Sequence, residues 1–246
     1  MSEPQPQTVV LLHGFGGTHR SWEGLVELLP PERYRPLAID LPGHGEQADA
    51  PRPITFDRCV ERVLSRAPQR FGLCGYSMGG RIALHVALAA PQRVSQLVLV
   101  SSSAGIEDDA ERTARRRADE RLAAGLEGEP YEQFIERWRS QPLFAGEPPE
   151  VGARAREDQR RNRPDALAAV LRGIGTGAMA PLWSRLPELT MPVTIVVGER
   201  DQKFQALGRR MAGLLAHARL IVIPGGHGLA LENPAGIAAA VMVGRP

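Results

Sequence analysis

The sequence predicts an α/β protein: a mostly parallel sheet of about six strands, flanked by helices and interrupted by a helical insertion. Three observations carry this. Short, nearly continuous apolar runs recur at 8–12, 37–41, 69–74, 94–100, 193–197 and 219–223, the pattern of strands buried on both faces. Helix-like segments fall between several of these runs, and such alternation builds parallel neighbours. From about 104 to 187 the alternation stops, leaving charged, helix-like stretches separated by Gly and Pro.

The first strand, 8–12, runs into His13-Gly14-Phe15-Gly16-Gly17. A glycine-rich turn at a strand end can aim a backbone N–H into a site. Phe15 carries the N–H expected to do so, and His13 is expected to shape the loop. The strand at 37–41 is followed by Pro42-Gly43-His44-Gly45, where His44 is read as a structural loop residue. Residues 56–67 have helical spacing with Arg and Glu on the outer face, and lead to the strand at 69–74.

Next comes Gly75-Tyr76-Ser77-Met78-Gly79-Gly80, a serine on a forced turn before a helix read over 81–90. Gly75 and Gly79 leave room for a strained backbone at Ser77, so that its hydroxyl projects from the sheet edge. A helix N-terminus at the same place favours developing negative charge. Ile82, Leu84, Val86, Ala87 and Leu88 give that helix a buried surface, and Pro91 stops it. Beyond the strand at 94–100, the chain is expected to divide into a sheet core over 1–103 and 188–246 and a helical lid over 104–187. The last two strands end at Gly198-Glu199-Arg200-Asp201 and Pro224-Gly225-Gly226-His227, and Glu232-Asn233-Pro234 opens the final helix.

With 246 residues, 43% of them hydrophobic, the chain can bury a large core. A formal net charge of +2 argues against a nucleic-acid footprint and leaves small molecules as the expected partners. The many arginines of 104–187 are accompanied by slightly more acidic residues, which makes most of them a solvated face. Cys59 and Cys74 lie in apolar surroundings and suggest neither a disulfide framework nor a metal site. Residues 1–7 are polar, with no basic stretch leading into an apolar one, and no run approaches the roughly 20 apolar residues that span a bilayer. A cytoplasmic protein that engages no membrane is expected.

Ser77, Asp201 and His227 occur in the order nucleophile, acid, histidine, each just after a strand. All three therefore fall outside the carboxyl ends of the strands, where open parallel sheets bind ligands. In such a catalytic set His227 takes the Ser77 proton and Asp201 holds the imidazole in the right tautomer. The N–H groups of Phe15 and Met78 complete the set as an oxyanion hole.

These motifs resemble the α/β-hydrolase superfamily from residue 8 onward. That pattern leaves the substrate open, since esterases, lipases, dehalogenases, peroxidases and C–C hydrolases share it. A narrower resemblance is to the 2-succinyl-6-hydroxy-2,4-cyclohexadiene-1-carboxylate synthases of menaquinone biosynthesis. It rests on Gly75-Tyr76-Ser77-Met78-Gly79-Gly80-Arg81, on Glu111-Arg112 through Arg115 to Asp119, and on Trp138 through Gln141-Pro142 to Phe144. Leu171-Arg172-Gly173-Ile174-Gly175-Thr176-Gly177, Pro181-Leu182-Trp183, Gly198-Glu199-Arg200-Asp201-Gln202-Lys203-Phe204 and Glu232-Asn233-Pro234 add to it.

The resemblance implies a lyase that eliminates pyruvate from a succinyl-enolpyruvyl-cyclohexene bearing three carboxylates, with no metal or organic cofactor. Such a polyanionic substrate calls for guanidinium groups, which stay charged and grip two oxygens at once. Arg81 lies four positions past Ser77, on the same helix face. By the resemblance, Arg115 and one arginine near Arg160 complete the clamp, with Arg161 and Arg163 as equal alternatives to Arg160. Tyr76, Trp138 and Phe144 would supply aromatic walls and hydrogen bonds. Ser77 would remove the ring proton beside the succinyl ketone while the Phe15 and Met78 N–H groups hold the enolate oxygen. Two other readings stay open: a carboxylester or C–C bond hydrolase on the same triad, with a less cationic pocket, and a non-catalytic binding protein on the same fold.

Overall fold

The computed structural model describes residues 5–243; the first four residues of the polar N-terminal stretch and the last three of the chain lie outside that range. Strand and helix alternate from the start: β1 (Gln7–Leu12), the short α1 (Glu23–Leu28), β2 (Tyr34–Ile39), α2 (Phe56–Arg66), β3 (Phe71–Tyr76), α3 (Met78–Ala89) and β4 (Val94–Val100). Four helices then follow with no strand between them: α4 (Asp109–Gly128), α5 (Tyr131–Arg139), α6 (Pro149–Gln159) and α7 (Pro164–Ile174). The sheet resumes with β5 (Val193–Gly198), α8 (Gln202–Leu214) and β6 (Ala218–Ile223), and the single turn α9 (Leu229–Glu232) and α10 (Pro234–Val243) complete the order.

The strands form one six-stranded sheet, ordered β2-β1-β3-β4-β5-β6, in which every neighbouring pair is parallel. Alternate residues of each strand feed opposite faces. Val10, Leu73, Leu99 and Ile195 share a core with Val63 of α2, Ile82 of α3 and Met211 of α8. Val9, Cys74, Val98 and Val196 share another with Leu25 of α1 and Ile237 of α10. With both faces covered, the central strands have no solvent-facing side, which is why they read as nearly continuous apolar runs. Each of these side chains contributes about 1.5–3 kcal/mol by leaving water.

Among the boundaries that differ from the sequence reading are those of β2, β3 and α3. β2 starts at Tyr34, ahead of Pro36, because it is an edge strand and a missing N–H is tolerated there. β3 runs on to Tyr76, pairing Gly75 with Leu99 and Tyr76 with Val100. α3 starts at Met78, so Gly79 and Gly80 form its first turn. A Cβ on Gly79 would collide with Leu12 O and lie 2.6 Å from His13 O. Glycine is needed because this helix end sits directly on the end of β1.

The inserted helices have a small core of their own, built from Ala123 and Leu126 of α4, Phe134 of α5, and Leu167, Ala168 and Leu171 of α7, with Phe15 and Trp138 packed against it. Among the described residues no helix is long and apolar enough to cross a membrane. Gly79→Ala is expected to force α3 away from β1 and to lower stability by about 1–3 kcal/mol. Denaturant unfolding measures this, and an unchanged midpoint would show that the close approach does not matter.

Candidate active site

The strand order reverses between β1 and β3. At such a switch point the loops leaving the two strands part to opposite faces and open a crevice. Ser77 stands there with φ 51 and ψ −109, a positive φ that a non-glycine residue holds only when its surroundings over-determine it. The surroundings are visible. Ser77 N–H donates to Val100 O (2.8 Å), and Ser102 Oγ–H donates to Ser77 O (2.9 Å). A Cβ on Gly75 would lie 2.7 Å from Gly80 Cα, so the turn closes only with glycine.

His227, between β6 and α9, brings Nε2 to 3.1 Å from Ser77 Oγ, and its Nδ1 lies 2.7 Å from Asp201 Oδ2. An ionised carboxylate only accepts, so Nδ1 carries the proton and Nε2 is free to accept from the serine. The two Asp201 oxygens divide their work. Oδ1 accepts from Phe204 N–H at the start of α8 (3.3 Å), while Oδ2 faces the imidazole. His227 and Asp201 are both buried. The imidazole is flanked by Phe204, Tyr76 and Phe144, with ring centroids 4.5, 5.6 and 6.2 Å away. The loop carrying it is braced by Glu232, whose Oε2 accepts from Gly226 N–H (2.7 Å) and which also pairs with Arg200.

The 13–17 loop lies against Ser77. A Cβ on Gly14 would lie 2.7 Å from Tyr76 Cε1 and 3.6 Å from Ser77 Cβ. Gly17 N–H donates to Gly14 O (3.1 Å), which puts Phe15 at the second position of a tight turn and leaves its N–H outside the turn's own bond. Met78 N–H, the first of α3, has no carbonyl one turn back to receive it. Two buried histidines hold this loop. His13 Nδ1 donates to Gly14 O (2.8 Å) and its Nε2 accepts from Leu41 N–H (3.1 Å). His44 Nε2 accepts from Gly16 N–H (3.3 Å).

Ser77 opens into a cavity of about 490 Å³. Phe15, Tyr76, Met78, Arg81, Arg115, Trp138, Phe144 and His227 all line it, with Asp201 behind the imidazole. Trp138 packs on Phe15 with ring centroids 5.0 Å apart. Burial pushes the Tyr76 phenol up, which keeps it a neutral hydrogen-bonding group. Arg81 is only 8% exposed. Burial, and then the neighbouring Arg115, push its guanidinium down to about 10, so it is charged at neutral pH. Its Nη1 donates to Ile174 O (2.8 Å), and Arg115 Nε donates to Asp119 (2.7 Å). Acids line the cavity too: Glu107 pairs there with Arg210, which stacks on Trp183 at 3.9 Å, and Lys203 adds a further cation.

Arg160 is the exception among the expected residues. Its side chain is 48% exposed and holds Glu132 through Nε and Nη2 at 2.9 and 2.8 Å. Arg161 pairs with Glu157, and Arg163 with Asp165 and Asp49. The end of α6 turns these arginines outward and directs shorter polar residues inward. Asp158 accepts from Thr18 N–H (2.9 Å), from Thr18 Oγ1–H and from Ser21 Oγ–H (2.7 Å). Asn162 donates to Gly16 O (2.8 Å) and accepts from Gly45 N–H (2.9 Å). Asn162 thus ties the insertion to the 13–17 loop, and Asp158 ties it to the residues that follow that loop. Sequence reasoning missed Asp158 and Asn162, and a run rich in arginine and acid holds no local signal that would single them out.

The chain belongs to the alpha/beta hydrolase family, whose model matches residues 9–240. Its curated relatives narrow the comparison. The 2-succinyl-6-hydroxy-2,4-cyclohexadiene-1-carboxylate synthase of Citrobacter koseri is 34% identical over 242 residues, covering 96% of this chain and 92% of that protein. A Bacillus subtilis protein carrying the same name provisionally is 37% identical over 239 residues, 93% of this chain and 86% of that protein. The solved structure of MenH from S. aureus matches with a TM-score of 0.91 at 33% identity, covering 97% of this chain and 92% of that one.

The anchoring histidines predict a pH dependence. Burial lowers His13 and holds His44 well below the ordinary imidazole value of 6.5, and both accept hydrogen bonds only as neutral rings. The unfolded chain therefore binds more protons just below that value, so stability is full above it and falls as pH drops through it. The unfolding midpoint is expected to decline from about pH 6.5 toward about pH 5, with a shallower slope in His44→Gln. A flat wild-type profile over this range would contradict the arrangement.

Proposed function

We propose that this chain is a carbon–oxygen lyase that converts 2-succinyl-5-enolpyruvyl-6-hydroxy-3-cyclohexene-1-carboxylate to 2-succinyl-6-hydroxy-2,4-cyclohexadiene-1-carboxylate and pyruvate. The observation that carries the reading is the convergence of the Ser77–His227–Asp201 hydrogen-bonded chain with Arg81 and Arg115 on one cavity. A hydrolase of small neutral esters has no use for two guanidinium groups there. The cavity volume lies within the roughly 300–1,000 Å³ of small-molecule sites, and the relatives named above carry this activity in their names.

In this reading the serine is a base. His227 Nε2 takes the Ser77 proton as Ser77 Oγ removes the hydrogen from ring carbon 2, which is acidified by the succinyl ketone. Developing charge on the ketone oxygen is held by the N–H groups of Phe15 and Met78. The freed electron pair forms the bond between carbons 2 and 3, the ring alkene shifts to carbons 4 and 5, and the carbon–oxygen bond to the enolpyruvyl group breaks. The departing enolate takes up a proton to become pyruvate. No covalent enzyme intermediate is needed. Arg81, Arg115, Tyr76, Trp138 and Phe144 bind and orient the carboxylates and the ring, and Asp201 fixes the imidazole tautomer.

The test is incubation with the enolpyruvyl substrate while pyruvate is followed by a coupled reductase. Ser77→Ala is expected to lower kcat by about 10²–10⁴-fold with the fold intact. Arg81→Ala is expected to lower kcat/KM by about 10-fold or more, mainly through KM, because it removes charge-assisted bonds to a carboxylate. Pyruvate release no faster than without protein would reject the lyase reading. An Arg81→Ala loss confined to kcat would reject the binding role.

A further inference from the structure

We infer that Asp119 is a positioning residue which, with the strap 174–177, fixes Arg81 and Arg115 relative to one another for carboxylate recognition. This rests on the lyase reading above. The strap follows α7 and lies between the two arginines. At one end Ile174 O accepts from Arg81 Nη1 (2.8 Å). At the other, Gly177 N–H donates to Asp119 Oδ2 (2.9 Å), while Asp119 Oδ1 accepts from Arg115 Nε (2.7 Å). Ile174, Gly175 and Thr176 themselves line the cavity. A continuous path thus runs from α3 through the strap to α4, made of three hydrogen bonds and the covalent chain of the strap.

Close packing removes the slack from this path. A Cβ on Gly175 would lie 2.6 Å from Asp119 Oδ2, and one on Gly177 would collide with the Arg116 backbone N and lie 2.6 Å from its Cα. At these two positions only glycine can lie this close to α4. The motif Gly173-Ile174-Gly175-Thr176-Gly177 therefore has a mechanical reason at two of its glycines.

An ordinary surface pair between successive helix turns does not account for Asp119. Arginine four residues before an acid is the less favoured order on an isolated helix, and such pairs gain little while solvated. Asp119 is 2% exposed, and a buried carboxylate is tolerated only when its oxygens are satisfied. Here they are, by one guanidinium and one backbone N–H. The anion also offsets the mutual repulsion of Arg81 and Arg115, which lie close enough for each to act on the other electrostatically. Binding Arg115 through Nε leaves its two terminal nitrogens for a substrate carboxylate, the bidentate edge that guanidinium groups offer to such partners.

The experiment compares wild type, Asp119→Asn, Arg115→Ala and the double variant in the pyruvate-release assay. Asn keeps the volume and one acceptor but loses the charge. Asp119→Asn is expected to raise KM roughly tenfold with kcat changed far less, and the double variant to lose less than the two single losses combined, because part of the effect of Asp119 passes through Arg115 and part through the strap to Arg81. Additive losses, or a loss confined to kcat, would overturn the assignment. Calorimetric titration with propane-1,2,3-tricarboxylate keeps the two ideas separable. Weaker binding by Asp119→Asn than by wild type supports the positioning role even if pyruvate is never released, a result that would sink the lyase reading alone. Equal binding by both proteins overturns the positioning role. Gly177→Ala leaves every charge in place, and a similar rise in KM is expected if the strap sets the geometry.

Discussion

The close approach of α3 to the end of β1 is the constraint on which the rest of the site depends. The first turn of the helix rests on the carbonyls of Leu12 and His13, and the chain can reach that position from β3 only by the tight reversal that leaves Ser77 at positive φ. Three consequences follow from one contact. The serine hydroxyl is projected out of the sheet, the first N–H of α3 has no carbonyl one turn back to receive it, and the 13–17 loop is brought against the elbow. A helix that began even a short distance farther out would relax the turn and separate the parts. The strain at Ser77 is held by bonds to β4 and its following loop, so the sheet's own packing supports it.

Charge in this protein sorts by burial. Arg160, Arg163 and Arg172 meet acidic partners in solvent, where such pairs add little. Arg81 is placed where desolvation opposes its charge, and the Ile174 carbonyl is a neutral partner for it. A cation held in this way keeps hydrogen-bonding capacity for an anion entering the cavity. The contrast gives the lyase reading its physical basis, since a guanidinium is kept desolvated only where something compensates for it. Asp119 extends the same logic by holding the second arginine through one nitrogen.

The inserted helices also bear on the loops of the sheet core. Through Asn162 the insertion holds the 13–17 loop, and through Asp158 the residues just after it, while His13 and His44 hold the loop from the sheet side. Trp138 and Phe144 then close the wall beside the imidazole. The loop that carries Phe15 to the cavity wall is thus clamped between two parts of the chain distant in sequence. Pre-organisation of this kind is what a developing oxyanion requires, because a donor that must reorient at the moment of reaction contributes less.

Much of this was legible in the residues. Strands buried on both faces leave continuous apolar runs, and a parallel sheet has all its carboxyl ends on one side. The positions of Ser77, Asp201 and His227 after their strands were enough to place them at a common edge, and the structure brings them within hydrogen-bond distance. Arg81 could be placed because it lies in the first turn of the helix that Ser77 precedes. The boundary of β2 was misread at Pro36, whose tolerance depends on β2 lying at the sheet edge. Arg160 was misplaced, and Asp158, Asn162 and the link from Asp119 to the strap went unseen, for a single reason. The sequence by itself determined which residues lie on one face of an element and which end of a strand they follow. Only the tertiary structure decided which face of each inserted helix meets the sheet. That choice is made by long-range packing of α4, α5 and α7 on one another, and nothing local to a run of arginines and acids encodes it.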